Sequence, residues 1–357
     1  MELKQAGIEK FIGGFEHMEI EAEAEGMASK SRGQLGIHES AESNILTDFV
    51  PKEIDINKLS QRDFPRIAKN KELYSKISVA IQQIPTVQRA ILGDSRNMTK
   101  LKNESVHLVV TSPPYWTLKE YRNIKGQLGH IADYNQFLEE LDKTWKECYR
   151  VLAPGGRLVI VIGDVCLSRR KHDRHRVMPL HASIQEHCRK IGFDNLAPII
   201  WYKIANISLE VSNGSRFLGK PYEPNAVVKN DIEYLLFQRK PGGYRAPDSV
   251  KRVLSIISEE DHRKWFQQIW TIHGESTRNH PSPFPLALAE QLVRMFSFVG
   301  DTVLDPFMGT GTTLLAAGMW GRNGVGYEID PKYCQYSIER LQKNLKRAEI
   351  VTEGMID

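Results

Sequence analysis

The chain has 357 residues, 41% hydrophobic and 26% charged, with a formal net charge of +4. That length supports one large or two ordinary domains with a full core. The absence of a long uncharged apolar run or a signal-peptide leader excludes a membrane-embedded or secreted class and predicts a soluble, intracellular protein. The four cysteines, Cys148, Cys166, Cys188 and Cys334, are scattered without a C-x-x-C pair, which excludes a zinc framework or disulfide scaffold, and no metal is expected.

In chain order, residues 1–60 carry 6 basic and 12 acidic side chains, a net of −6. Residues 1–50 read as helical or partly disordered, and 51–88 hold polar helical patterns. Strands are predicted near 89–93 and 106–110. An amphipathic helix over 135–152 has Phe137, Leu138, Leu141, Trp145, Cys148, Tyr149 and Leu152 on one face, a core stripe. Ala153-Pro154-Gly155-Gly156 ends it, and 157–162 is the next strand. A helix over 179–190 and strands near 197–202 and 231–238 follow. An irregular segment runs to about residue 277, and strands near 302–305 and 324–328 close the pattern. The sum is an α/β fold with a doubly wound sheet.

The most informative run is Thr111-Ser112-Pro113-Pro114-Tyr115-Trp116, directly after the apolar strand Val106-His107-Leu108-Val109-Val110. Two consecutive prolines have no N–H for a strand ladder, so the chain must leave the sheet at its carboxyl end. That edge is where open α/β sheets bind ligands. The loop offers Ser112 Oγ and the Pro113 carbonyl as acceptors for the protons of an amino group on a planar ring, and Tyr115 as a stacking face.

The second motif is Val303-Leu304-Asp305-Pro306-Phe307-Met308-Gly309-Thr310-Gly311-Thr312-Thr313. It reads as strand, glycine turn and a helix starting near Thr312, with unpaired N–H groups for an anionic ligand. The next strand ends in Glu328, at the spacing that suits a ribose diol. The absence of G-K-[ST] after the glycines excludes a triphosphate P-loop, and the third glycine of a dinucleotide fingerprint is missing.

Taken together, Ser112-Pro113-Pro114-Tyr115 and Asp305-Pro306-Phe307 with Gly309, Gly311 and Thr312 resemble the amino-DNA methyltransferases that use S-adenosylmethionine (SAM). The order, catalytic loop before cofactor loop, is that of the family's circularly permuted β group. The resemblance spans roughly residues 91–345. It implies a Rossmann-like, circularly permuted methyltransferase sheet with an inserted target-recognition region. It implies SAM as the cofactor, duplex DNA as the substrate, and methyl transfer to an exocyclic amine. It carries cofactor roles onto Asp94 (adenine), Asp305 (the methionine amino group), Glu328 (ribose), Pro306 and Phe307, and onto His280 and Phe284 of the segment His280-Pro281-Ser282-Pro283-Phe284-Pro285. Ser112 at the head of its loop accompanies cytosine-N4 specificity in this family, and adenine-N6 is the alternative. RNA or protein-glutamine methylation and a silent DNA-binding protein are the more distant readings. The resemblance also admits a cognate restriction endonuclease and a homodimer as partners, and a prokaryotic cytoplasm as the location.

Residues 166–220 carry 10 basic and 4 acidic side chains, a net of +6. Arg169, Arg170, Lys171, Arg174 and Arg176, with Arg216 and Lys220 further on, are assigned to DNA phosphates. The expected organisation is an extension of unknown role over 1–85, and a catalytic half over 86–240 with a basic insert at about 166–230. A target-recognition region over 241–279 and a SAM-binding half over 280–357 complete it.

Overall fold

The structure, a computed structural model, describes residues 45–119, 121–168, 172–203, 230–274 and 284–354. Helices α1 (Asp63–Lys69) and α2 (Lys71–Ile81) precede β1 (Thr86–Leu92) and β2 (Val106–Thr111). Helix α3 (Tyr134–Val151) leads into β3 (Leu152–Ile162), and β4 (Val165–Leu167) and β5 (Arg176–Met178) form a separate hairpin. Then come α4 (Leu180–Ile191), β6 (Asp194–Tyr202) and β7 (Ile232–Arg239). Helices α5 (Ser249–Leu254) and α6 (Glu259–Trp265), β8 (Ile269–Trp270) and α7 (Leu286–Phe296) follow. The chain finishes with β9 (Thr302–Asp305), α8 (Thr312–Met319), β10 (Asn323–Glu328), α9 (Pro331–Asn344) and β11 (Ala348–Glu353).

The main sheet has the order β11-β1-β10-β9-β2-β3-β7-β6-β8. Strands β9 and β10, from the end of the chain, lie between β1 and β2, each paired in parallel. This is the permuted, doubly wound arrangement the sequence implied. β7 runs antiparallel to its neighbours β3 and β6. The chain leaves β2 towards β3 and leaves β9 towards β10, in opposite directions. The crevice between their carboxyl ends is therefore a topological switch point, the place where such sheets hold ligands.

Both faces of the sheet are covered, which is why its central strands read as continuous apolar runs. Along β3, Leu158, Ile160 and Ile162 pack with α3 and α4, while Val159 and Val161 face Leu288, Leu292, Ala316 and Ala317 of α7 and α8. The α3 stripe is buried as its spacing predicts, and Asp133 caps the helix by accepting from the Gln136 N–H at 2.8 Å. The Ala153 to Gly156 turn differs from expectation. β3 already begins at Leu152, paired with Val106, and the register then jumps to Leu108 with Arg157, so the turn is a bulge inside the strand.

Two further differences concern the ends of the core. Strand β11 extends the sheet beyond β1, tied by Arg89 to Glu353 at 2.6 Å. Residues 45–84, assigned to an extension, form part of the same body. Ile67, Ile77, Ile81 and Ile84 make one apolar cluster with Val250, Val253, Leu254 and Val299.

Candidate active site

Strand β2 delivers Ser112 to Tyr115 to the switch point. Past the prolines the chain turns sharply: Trp116 adopts a φ of 46° and the Leu118 N–H closes on the Tyr115 carbonyl at 3.0 Å. A bulky residue in the left-handed region needs other contacts to hold it. The Trp116 indole N–H donates to the Ile131 carbonyl at 2.9 Å, and the ring packs edge-on against Tyr134, centroids 5.2 Å apart. Tyr115 is only 4% exposed. Its hydroxyl donates to Glu233 Oε2 at 3.0 Å. Burial first, and then the Glu233 charge, push the phenol well above its ordinary pKa against the pull of Ser112. The ring is therefore neutral at any physiological pH.

The second loop is built around two carboxylates. Asp305, at the end of β9, is buried and accepts from Thr111 Oγ1 at 2.7 Å, Thr313 Oγ1 at 2.8 Å and the Phe307 N–H at 3.0 Å. It thus ties β2, β9 and α8 together. Burial raises it to about 6, although all three hydrogen bonds oppose the rise. Glu328, at the end of β10, accepts from the Gly309 N–H at 2.7 Å and the Asp330 N–H at 2.9 Å. Burial lifts it to about 7, the two backbone hydrogen bonds pull it down, and the Asp330 and Asp305 charges add to the rise. Gly311 caps α8 with a φ of 75°, and a Cβ there would stand 3.0 Å from Ser337 Cβ. Glycine meets both demands.

Ser112, Pro114, Asp94, Pro306, Phe307 and Glu328 line one cavity with Tyr121, Gln127, Tyr327 and Tyr333. It measures ≈ 50 Å³, small beside the ~300–1,000 Å³ of typical ligand clefts. The segment after the catalytic loop lies across it. Gly126 sits against Asp94 and Ile329, Tyr121 against Gly129, and Arg122 donates to Asp330 at 3.0 Å. Asp94 is also held by Arg96, whose Nη2 lies 2.5 Å from Oδ2 and whose Nη1 pairs with Glu140. Burial opposes ionisation of Asp94, but the Arg96 hydrogen bonds and charge prevail and keep its pKa below the usual value. Two carboxylates separated by aromatic walls are a donor-matched site for a nucleoside, whose diol and exocyclic amine both donate.

The other sequence-derived residues fall elsewhere. Pro113, Tyr115, Asp305, Gly309, Gly311 and Thr312 stand behind or beside the cavity wall, outside its lining. The Thr312 hydroxyl accepts from Arg340 Nη1 at 2.9 Å. Phe284, just ahead of α7, is buried in the apolar cluster with Leu288 and Leu292 and is not part of the cavity lining. His280, Arg169, Arg170, Lys171, Arg216 and Lys220 lie outside the described residues. Arg174 and Arg176 are exposed on the β4–β5 hairpin, which rises from the carboxyl end of β3.

The region over 241–279 divides. Arg245 makes a bidentate pair with buried Asp301, just ahead of β9, at 2.5 and 2.6 Å. Helix α5 packs under the sheet with residues 46–84. Arg245 and helix α5 therefore lie at the amino ends of the parallel strands, opposite the catalytic loop, and β8 pairs beside Ile200 and Trp201. The composition of 241–265 gave no hint of which edge it would occupy.

Sequence reasoning also missed residues at the catalytic edge. Lys203 Nζ lies 2.5 Å from Glu233 Oε1. His181 Nδ1 is 2.6 Å from Asp164 Oδ1, and its ring stacks on Tyr234 at 3.9 Å. The available signal for Glu233 was an acid at the head of the otherwise apolar run Ile232-Glu233-Tyr234-Leu235-Leu236-Phe237.

The fold and the two loops define a class, and comparison with known proteins agrees with it. Residues 106–339 match the DNA methylase family of N6/N4 amino-methyltransferases, and the chain belongs to that family. It is 38% identical over 295 residues to the Type II methyltransferase M.MjaI of Methanocaldococcus jannaschii, covering 74% of this chain and 94% of that one. It is 33% identical to the Type II methyltransferase M.MthZI of Methanothermobacter thermautotrophicus, over 76% of this chain and 81% of the relative. Among solved structures, a protein of Thermus thermophilus classed as a DNA modification methylase, complexed with SAM, is 50% identical. Its TM-score is 0.62, covering 76% of this chain and all of that one. The cytosine-N4-specific PvuII DNA methyltransferase shares the fold at 20% identity and a TM-score of 0.52, over 76% of this chain and 98% of its own. The chain is thus a SAM-dependent DNA amino-methyltransferase.

Proposed function

We propose that the chain methylates the exocyclic N4 of cytosine in duplex DNA. The observation that carries this reading is Ser112: the side chain that the catalytic loop brings to the cavity wall is a small neutral hydroxyl. The target base must leave the duplex to reach it, at a cost of a few kcal/mol. Stacking on the neutral Tyr115 ring, worth ~1–3 kcal/mol, offsets part of that cost. Ser112 Oγ and the Pro113 carbonyl then accept the two amine protons, which localises the nitrogen lone pair. Both groups act by position and not as strong bases, so placement supplies the acceleration and the proton passes to solvent after transfer.

SAM, when bound, supplies an electrophilic methyl group. Glu328 would take the ribose hydroxyls, Asp94 the adenine amine, and Phe307 the wall between them, with Asp305 holding the loop that carries Phe307. Arg174 and Arg176 are suited to phosphate contacts, and Arg169, Arg170 and Lys171, next to them in sequence, add to the local positive charge. The Type II names of the relatives suggest a restriction endonuclease that reads the same site.

The test is mass spectrometry of nucleosides from duplex DNA incubated with the protein and methyl-labelled SAM. Labelled N4-methylcytosine is expected. Labelled N6-methyladenine would overturn the base assignment while keeping the mechanism, and DNA without label would overturn the reading as a whole.

A further inference from the structure

Tyr115 carries the aromatic ring of the Ser112-Pro113-Pro114-Tyr115 loop, yet the loop itself holds that ring only weakly. The prolines fix the backbone, and Ser112 Oγ is 3.5 Å from the Tyr115 hydroxyl, too far for a strong bond. The Val161 carbonyl is equally distant at 3.5 Å. The short contact is with Glu233 Oε2, at 3.0 Å, from the start of β7. Lys203 holds the other oxygen of that carboxylate at 2.5 Å, and its ammonium also lies 4.8 Å from the Trp201 ring centroid. Gly163 leaves the space in which ring and carboxylate meet: a Cβ there would be 3.2 Å from Glu233 Cγ and 3.4 Å from Tyr115 Cε2. A charged acceptor makes the stronger kind of hydrogen bond, and this one sits beside a buried ring.

We propose that Glu233 is a positioning residue for methyl transfer: its carboxylate, anchored by Lys203, takes the Tyr115 hydroxyl and sets the ring against which the target base stacks. The proposal rests on the reading of Ser112 to Tyr115 as the base-holding loop. It gives the acid at the head of β7 a task that core packing does not explain. It also makes the link run through one atom, the Tyr115 hydroxyl.

The experiment compares wild type, Glu233→Ala, Glu233→Gln, Tyr115→Phe and the Tyr115→Phe/Glu233→Ala double variant. It measures kcat and KM on duplex DNA and SAM affinity by calorimetry. Glu233→Ala is expected to lower kcat by ~10²-fold, the scale of a misplaced reacting group, with SAM affinity unchanged. Glu233→Gln, whose amide oxygen still accepts from the hydroxyl, should recover most of that loss. The double variant should be no slower than Tyr115→Phe alone, because the hydroxyl through which Glu233 acts is already gone. A Glu233→Ala variant with wild-type kcat, or losses that multiply in the double variant, overturns the positioning role. If Glu233→Ala fails to fold, Glu233→Met, which keeps the bulk without an oxygen to accept from the hydroxyl, and the cycle built on it decide the same question. A wild-type protein that leaves DNA unmethylated removes the underlying reading instead, so the two failures are distinguishable.

Discussion

Glu328 combines two demands that pull in opposite directions. To serve a ribose diol it must accept hydrogen bonds, and its two oxygens already take the Gly309 and Asp330 N–H groups, leaving lone pairs for a ligand. Burial penalises the charge that makes it a good acceptor and raises it from 4.5 to about 7. A carboxyl group raised in the folded state favours folding when protonated. Its contribution is complete below the unfolded value of 4.5 and is lost as pH climbs through about 7. Asp305, raised to about 6, acts in the same sense. The unfolding midpoint of the ligand-free protein should therefore fall from about pH 5 to about pH 8, and fall less in Glu328→Gln. SAM affinity should run the other way, weakening as pH drops below about 7, and this slope should flatten in Glu328→Gln. Calorimetric titrations across that range check both; a wild-type affinity independent of pH would remove Glu328 from the ribose site.

The β4–β5 hairpin shows how far an element could be read and where reading stopped. The basic run Arg169-Arg170-Lys171-His172-Asp173-Arg174 was evident in the sequence, but strands of three residues leave too short a pattern for period-two alternation to register. β8, at two residues, was hidden for the same reason, and β11, with no residue fully buried, for lack of an apolar signature. The central strands and α3 were legible because each is buried on a face that imposes its period on the sequence. The hairpin places Arg174 and Arg176 in solvent beside the catalytic edge. Each phosphate contact releases counterions and adds ~0.9 to the slope of log affinity against log salt. Replacing Arg169, Arg170 and Arg174 by alanine should weaken duplex binding and lower that slope by ~2–3. Fluorescence anisotropy over a salt series measures it, and an unchanged slope would make the hairpin a solvated loop.

At the scale of the whole molecule, the two glycine and proline loops revealed the fold because they mark where the sheet reverses direction, and local chemistry dictates them. The boundary at residue 85 was not legible. Helices α1 and α2 are short and mix apolar with charged residues, and their partners lie far along the chain. Tyr74 OH donates to Asp261 Oδ2 at 3.0 Å and contacts Arg294. Arg294 lies between the rings of Trp265 and Trp320, 4.4 and 3.9 Å from their centroids. Removing residues 1–85 strips Ile67, Ile77, Ile81 and Ile84 from the faces of Val250, Val253, Leu254 and Val299. At ~1.5–3 kcal/mol for each buried aliphatic side chain, that loss rivals the ~5–15 kcal/mol net stability of a whole domain. A chain beginning at residue 86 should therefore be insoluble or molten, although it retains both catalytic and cofactor loops. A chain beginning at residue 45 keeps all of these contacts and should fold cooperatively, as a sharp transition in denaturant would show. If the shorter chain instead folds and binds SAM with full affinity, residues 45–85 are a separable extension after all, and the apolar cluster under the sheet adds little to its stability.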